Sequence, residues 1–364
     1  MPYGTVNADV IQTSTSGGIL GAGNASIMKN RIINGAMTIN QRGYSATPTV
    51  DPTYTLDRFA VRLSQSSKFS VAQSSTAPVG FNNSLLVTSS SAYTCLTGDF
   101  FALYQNIEGF NTADLNWGSA NAKTVTLSFQ VYSSLTGTFG GVLANDDSSR
   151  TYPFSYTISS ANTWTTISVT IAGDTTGTWQ TTTSTGIGVR FSLGVGTTYG
   201  GTAGAWTSSN KFGVTGQVNI VGTNGATFYI TGVQLEVGSS ATGFEYRQYG
   251  TELALCQRYY EKSYGIDVVP ATSTFTGAVH YQWATSTNSM GASWTFKVEK
   301  RATPTVTTWD ATGGGTPTSG TVYKGGYAKA VANNTPSTSQ GYISTTDSTS
   351  ASEFAFQWVA SAEL

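Results

Sequence analysis

Residues Thr227 to Tyr260 read TFYITGVQLEVGSSATGFEYRQYGTELALCQRYY, and this stretch decides how the chain is organised. Phe228 and Ile230 alternate with Thr227, Tyr229 and Thr231, and the apolar phase then slips at Gly232 and resumes on Val233, Leu235 and Val237. A one-residue slip would send every later side chain to the opposite face, so the spacing predicts a β-bulge or bend at Gly232. Gly238-Ser239-Ser240 signals a turn. From Thr251, as N-cap, a helix is predicted, with Glu252 near its positive end and Leu253, Cys256 and Tyr260 on one face. Leu255 and Tyr259 widen that stripe, and the helix is expected to end by Gly265.

Strand patterns fill residues 31–247. Phe59, Val61 and Leu63 alternate with polar or small residues, and Phe101, Leu103 and Ile107 continue the pattern. Further strands show in Val125, Leu127, Phe129 and Val131, in Ile167, Val169 and Ile171, and in Val189, Phe191 and Leu193. Many short alternating strands without interleaved helices imply antiparallel sheets packed face to face. The fold class expected is all-β: a jelly-roll-like β-sandwich over 31–247, a linker helix at 248–265, and a second, smaller β-sandwich domain over 266–364.

Composition agrees. Charged residues make up 10% of the 364 residues and the net charge is -1, which disfavours nucleic acid or an anionic membrane as a partner. Glycine at 41 residues and aromatics at 12% suit short strands joined by tight turns. Disordered chains are also rich in Ser, Thr and Gly, but they lack the aromatic and β-branched residues that alternate here. No stretch approaches the length of an apolar membrane span, and the first residues do not read as a secretory signal. Cys95 and Cys256 fall in different predicted domains, so reduced thiols are expected, and a single histidine, His280, excludes a His/Cys zinc site.

Other short motifs recur in order: Lys29-Asn30-Arg31-Ile32-Ile33-Asn34-Gly35 with Gln41-Arg42, Asp57-Arg58-Phe59, Gln105-Asn106-Ile107-Glu108, and Arg301-Ala302-Thr303-Pro304-Thr305-Val306. Together with Val233-Gln234-Leu235-Glu236, Ala241 to Arg247 and the helix segment Glu252 to Ser263, this ordered set resembles tailed-bacteriophage appendage proteins, chiefly tail fibres and related virion proteins. The resemblance covers most of the chain. It implies a sandwich like that of carbohydrate-binding modules and a fibre-like homotrimer. In such a particle residues 1–30, polar and poor in apolar side chains, would be an extended arm that docks on other virion proteins, unless they are only a frayed terminus.

For chemistry, His280 lies between Val279 and Tyr281 on a predicted strand, far from any nucleophile elbow, so nucleophilic catalysis is not expected. Asp99, Glu108, Asp146, Asp147, Asp174 and Glu236 could in principle supply a glycosidase pair, although Asp146-Asp147 reads first as turn chemistry. The same acidic turn could offer oxygen ligands to calcium, but it lacks a DxDxDG-type loop, and neither metal nor cofactor is expected. Sugar rings stack on aromatic faces beside polar side chains. Trp117, Trp179, Tyr199 and Trp206, all near turn residues, are therefore the carbohydrate-binding candidates, against the plainer expectation that they cap the ends of the core. Trp164, Trp294, Phe296, Phe356 and Trp358 read as structural. The function expected is a virion appendage that binds bacterial surface polysaccharide without turnover. The alternatives are a capsid decoration, collar or connector protein that merely packs, and a glycan-degrading depolymerase.

Overall fold

Two antiparallel six-stranded sheets form the first unit of the computed structural model, which describes residues 10–12, 19–21, 28–311 and 316–364. Most of the arm expected at residues 1–30 lies outside the described residues. Sheet I runs Thr151–Ile158, Gly137–Ala144, Thr185–Val195, Phe100–Glu108, Ala60–Leu63, Thr53–Tyr54; sheet II runs Thr165–Ile171, Val125–Ser133, Thr227–Val237, Ser84–Ser89, Phe69–Ser74, Ser45–Ala46. The alternation in sequence becomes the core: Phe101, Leu103, Val189, Phe191 and Leu193 of sheet I face Val125, Leu127, Phe129, Val131 and Phe228 of sheet II, all buried. Phe129 meets Phe191 edge to face at 5.0 Å, the offset geometry that ring quadrupoles favour.

The slip at Gly232 is a bulge. Pairing of Thr227–Val237 with Val125–Ser133 shifts register between Thr231 and Gln234, and Gly232 has φ +63°. Ahead of the bulge the strand's other edge pairs with Ser84–Ser89, but only as far as Ile230. Beyond it that edge is taken by the Lys29 to Gly35 motif: Arg31 N donates to Leu235 O, Val233 N donates to Gly35 O, and Asn30 bonds both Val233 O and Leu235 N through its side chain. A Cβ on Gly35 would lie 2.1 Å from Val233 O, so only glycine allows this approach.

The helix spans Tyr249–Gln257, not Thr251 onwards. Gln248 occupies the N-cap position, and Thr251 lies inside the first turn. It also stops earlier than the apolar stripe implied, because Tyr260–Lys262 is drawn into strand pairing with Val359 to Ser361 and Tyr259 O accepts Ala362 N. Cys256 is fully buried in one cluster with Ile33, Ile39 and Tyr259, against which Leu253, Leu255 and Leu364 pack, and both thiols are free.

The second unit closes its core with a seven-stranded antiparallel sheet built on the long strand Gln340–Ser361, which pairs with Val279–Thr295, Thr305–Asp310 and shorter strands. Trp294, Phe296, Phe356 and Trp358 pack on one another inside it, with centroids 5.2 to 5.4 Å apart for three of the pairs. His280 Nε2 lies 3.0 Å from Glu353 Oε1 at an exposed cross-strand position, a surface pair of small worth.

Buried charges join the two units. Glu363 bonds Arg42 at 2.9 Å and also Arg58, whose guanidinium lies 3.5 Å from the Tyr259 ring centroid. Glu108 receives Arg258 at 2.6 and 2.9 Å and the Tyr259 hydroxyl at 2.7 Å. Lys300 Nζ donates to Glu261 at 2.6 Å and to Gln257 O and Val298 O. Arg301 ties Thr183 O of the sandwich to Ala362 O and Glu363 O.

Lys262, by contrast, donates to two carbonyls, Ile266 O and Val268 O, and burial lowers its pKa from 10.5 to about 8, with Asp57 and Asp267 acting the other way. The native state therefore binds fewer protons than the unfolded chain between these values, so the cost of burying the charge is full below about pH 8 and is relieved as pH rises through 10.5. Chemical unfolding of the wild type and Lys262→Met across pH 7 to 10 should show the wild type gaining stability relative to the variant above pH 8. A pH-independent difference would mean that Lys262 titrates normally.

Candidate functional site

At one end of the sandwich three connections converge, each carrying a tryptophan. Trp117 follows the two single-turn helices Gly109–Asn111 and Ala113–Leu115, Trp179 lies between Thr165–Ile171 and Thr185–Val195, and Trp206 lies on the long excursion 196–219. Their rings are mutually edge to face, with centroids at 4.7 Å (Trp117–Trp179), 5.3 Å (Trp117–Trp206) and 5.4 Å (Trp179–Trp206). Each such pair contributes about 0.5–1.5 kcal/mol beyond its area burial.

Backbone carbonyls fix all three indoles: Trp117 Nε1 donates to Lys123 O at 2.8 Å, Trp179 Nε1 to Thr176 O at 3.1 Å, and Trp206 Nε1 to Ala172 O at 2.8 Å. Asp174 anchors the middle loop, receiving Arg150 Nε at 2.6 Å and Nη2 at 2.8 Å together with the Thr176 amide and hydroxyl. That fork-to-fork bond with Asp174 raises the pKa of Arg150. Gly118, at φ +84°, lets the Trp117 loop pass Gly177, since a Cβ there would lie 2.8 Å from Gly177 O. Each indole is thus held both by a hydrogen bond and by its two neighbouring rings.

Trp117 is buried, whereas Trp179 and Trp206 are half-buried. Beside the first two opens a cleft of about 230 Å³ whose rim carries Thr112, Asn116, Ser119, Gln180 and Thr181. Trp206 lines a separate cleft of about 270 Å³ with Thr202, Ala205, Thr207, Lys211 and Thr215. Three of the four aromatic candidates therefore come together, with Trp117 serving mainly as core cap. Tyr199 does not join them; it packs on Phe100 and Phe212 at 5.2 and 5.5 Å over the outer face of sheet I. The polar rim is only partly legible in sequence, since Asn116 and Gln180 adjoin the tryptophans but nothing in the local pattern marks Thr112.

The outer face of sheet I is itself largely covered. Ala60, Ala102, Val142 and Ser192 are fully buried there, and Arg190 bonds Asn210, Lys211 O and Ser148 while lying 4.3 Å from the Phe212 ring centroid. Burial, with Arg62 nearby, lowers its pKa to about 10. This cation clamps the excursion 196–219 onto the sheet.

Five of the six carboxylates weighed for catalysis are engaged in structural bonds, Asp174 beside the tryptophans, whereas Asp146 is exposed. Asp99 accepts from Ser64, Tyr93 and Leu96 N; Glu108 belongs to the joint; Glu236 accepts from Gln234 and from Thr242 N and Oγ1. Asp147 accepts from the Ser149 amide and hydroxyl, which is turn chemistry. Among the described residues no group of three His, Cys, Asp or Glu side chains could hold a metal ion.

No family model and no curated protein matches the chain. Among solved structures it is similar to the enzymatically active domain of bacteriophage CBA120 tailspike protein 4, at 12% identity and TM-score 0.34, covering 58% of this chain but only 22% of that one. It is also similar to the family 11 carbohydrate-binding module of a Clostridium thermocellum cellulase, at 12% identity, TM-score 0.30 and 54% and 96% coverage. A third is the CBM22-1 xylan-binding domain of Paenibacillus barcinonensis Xyn10C, at 9% identity, TM-score 0.28 and 54% and 94% coverage. At these scores the likeness says nothing of what this chain binds.

Iodide should quench the fluorescence of Trp179 and Trp206 and leave Trp117 protected, as single-tryptophan-deletion variants would resolve. Complete protection of both Trp179 and Trp206 would show that the clefts are closed in solution.

Proposed function

We propose that this protein is a bacteriophage virion appendage, a tail fibre or similar structure, that binds a bacterial surface glycan without turnover at the tryptophan-lined end of its sandwich. The observation that carries the binding part is the pairing of immobilised indoles with a polar rim of Asn116, Ser119, Gln180 and Thr112 around an open cleft. Apolar ring faces accept the C–H face of a sugar while the amides and hydroxyls fix its orientation. The virion part rests on the ordered motifs that resemble phage appendage proteins.

Assembly as a homotrimer belongs to the same reading. The second unit buries a small cluster around Phe354, Phe356 and Trp358 while leaving Phe275, Tyr281, Tyr327 and Tyr342 exposed, a surplus that neighbouring copies would cover. Weak single sites then act together through multivalency. A purely structural role, as decoration or connector, is favoured by one fact: the tryptophans satisfy each other's edges and their own N–H groups within the chain.

Immunogold labelling of the encoding phage with an antibody to residues 266–364, together with light scattering of the isolated protein, tests both parts. Label at the distal ends of tail fibres and a trimer mass are expected. Label on the capsid or tail base would favour the structural role, and the mass of one chain at micromolar concentration would remove the trimer.

A further inference from the structure

The glycan-binding reading above leaves open whether the site holds the end of a sugar chain or a stretch of one. We propose that it binds an internal segment of a linear polysaccharide, at least two rings long, lying across the tryptophan group from one cleft to the other. This inference rests on the reading just given.

Its basis is the placement of two clefts on one aromatic group. Trp179 lines the first and Trp206 the second, and their ring centroids are 5.4 Å apart. The two indoles touch edge to face, so a chain that crosses from one cleft to the other passes directly from one ring to the next. The two rings stand at 81° to each other, so neighbouring sugar units would be gripped on differently turned faces, which suits a twisted chain better than a flat ribbon. Each cleft has its own polar set, Asn116, Ser119 and Gln180 in one and Thr202, Thr207 and Lys211 in the other. Neither is an enclosed pocket that would stop a chain end.

Arg150 stiffens the region between them. It is bonded to Asp174 on the Trp179 loop and reaches Ser208 Oγ at 3.1 Å on the Trp206 excursion, so the two loops are tied to one side chain. A ligand spanning both clefts therefore meets a preformed surface, with little ordering left to oppose binding.

The probe is an array of linear oligosaccharides graded from one to six units, with binding followed on the full-length protein. Two blocking variants place a long side chain in one cleft each without removing a packed residue: Ala113→Arg in the first and Ala205→Arg in the second, both positions being exposed. The expected result is negligible binding of single sugars, affinity rising at least tenfold from one unit to three or four, and a comparable loss in each variant. Equal affinity for one unit and for six, or loss in only one of the two variants, would overturn the internal-chain proposal while leaving glycan binding intact. Failure to bind any member of the array while also failing to bind polysaccharide from the phage's host would overturn the glycan reading, and this inference with it.

Discussion

Glu363 sits between the guanidinium groups of Arg42 and Arg58, and the arrangement of the molecule depends on that buried contact. Both arginines come from the first segments of the sandwich, and the carboxylate comes from the far end of the second unit. Burial opposes the charge on each guanidinium, and Glu363 offsets it, so that both are held in their charged form. Arg42 also lies 3.7 Å from the centroid of the Tyr260 ring, while Asp57 takes two bonds from Gln41, whose side chain reaches Tyr260 O. Removing Glu363 would take the shared partner from two buried guanidinium groups, and breaking a buried pair in this way costs about 3–5 kcal/mol, far more than a surface pair contributes.

The joint explains what the ordered motifs are for. Asn30 and Gly35 fill the strand edge left free by the Gly232 bulge, and Arg247 bonds Ile32 O and Asn30 O beside Glu252. Gln105 brackets Ile33 through its amide and carbonyl, and Glu108 receives Arg258 and Tyr259. Arg301 closes the other side. These short motifs thus lie in the joint or along the strand edge beside the Gly232 bulge, while the tryptophan clefts lie on loops outside this set.

How much was legible follows from the range of each interaction. Alternation such as Val125, Leu127, Phe129 and Val131 exposes the strands directly, and the phase slip at Gly232 marks the bulge, because both are local and periodic. The helix limits were misread for a tertiary reason: Tyr260 fits the apolar stripe, yet pairing with Ser361, a hundred residues away, draws it into a sheet. Trp117, Trp179 and Trp206 could each be named as candidates, but their convergence depends on Asp174, Arg150 and the clamp of Arg190 on the 196–219 excursion, none of which leaves a sequence period. Tyr199 shared the same local signature and belongs to a different cluster for that reason.

If the buried ion pairs at the joint hold the two β units as one cooperative body, loss of Glu363 should uncouple them. Differential scanning calorimetry of the wild type and Glu363→Ala tests it most directly. A single transition is expected for the wild type, and for the variant an earlier transition that separates melting of the second unit from that of the sandwich. A single transition at an unchanged temperature in Glu363→Ala would contradict it, and would mean that apolar packing around Cys256 and Tyr259 alone joins the units.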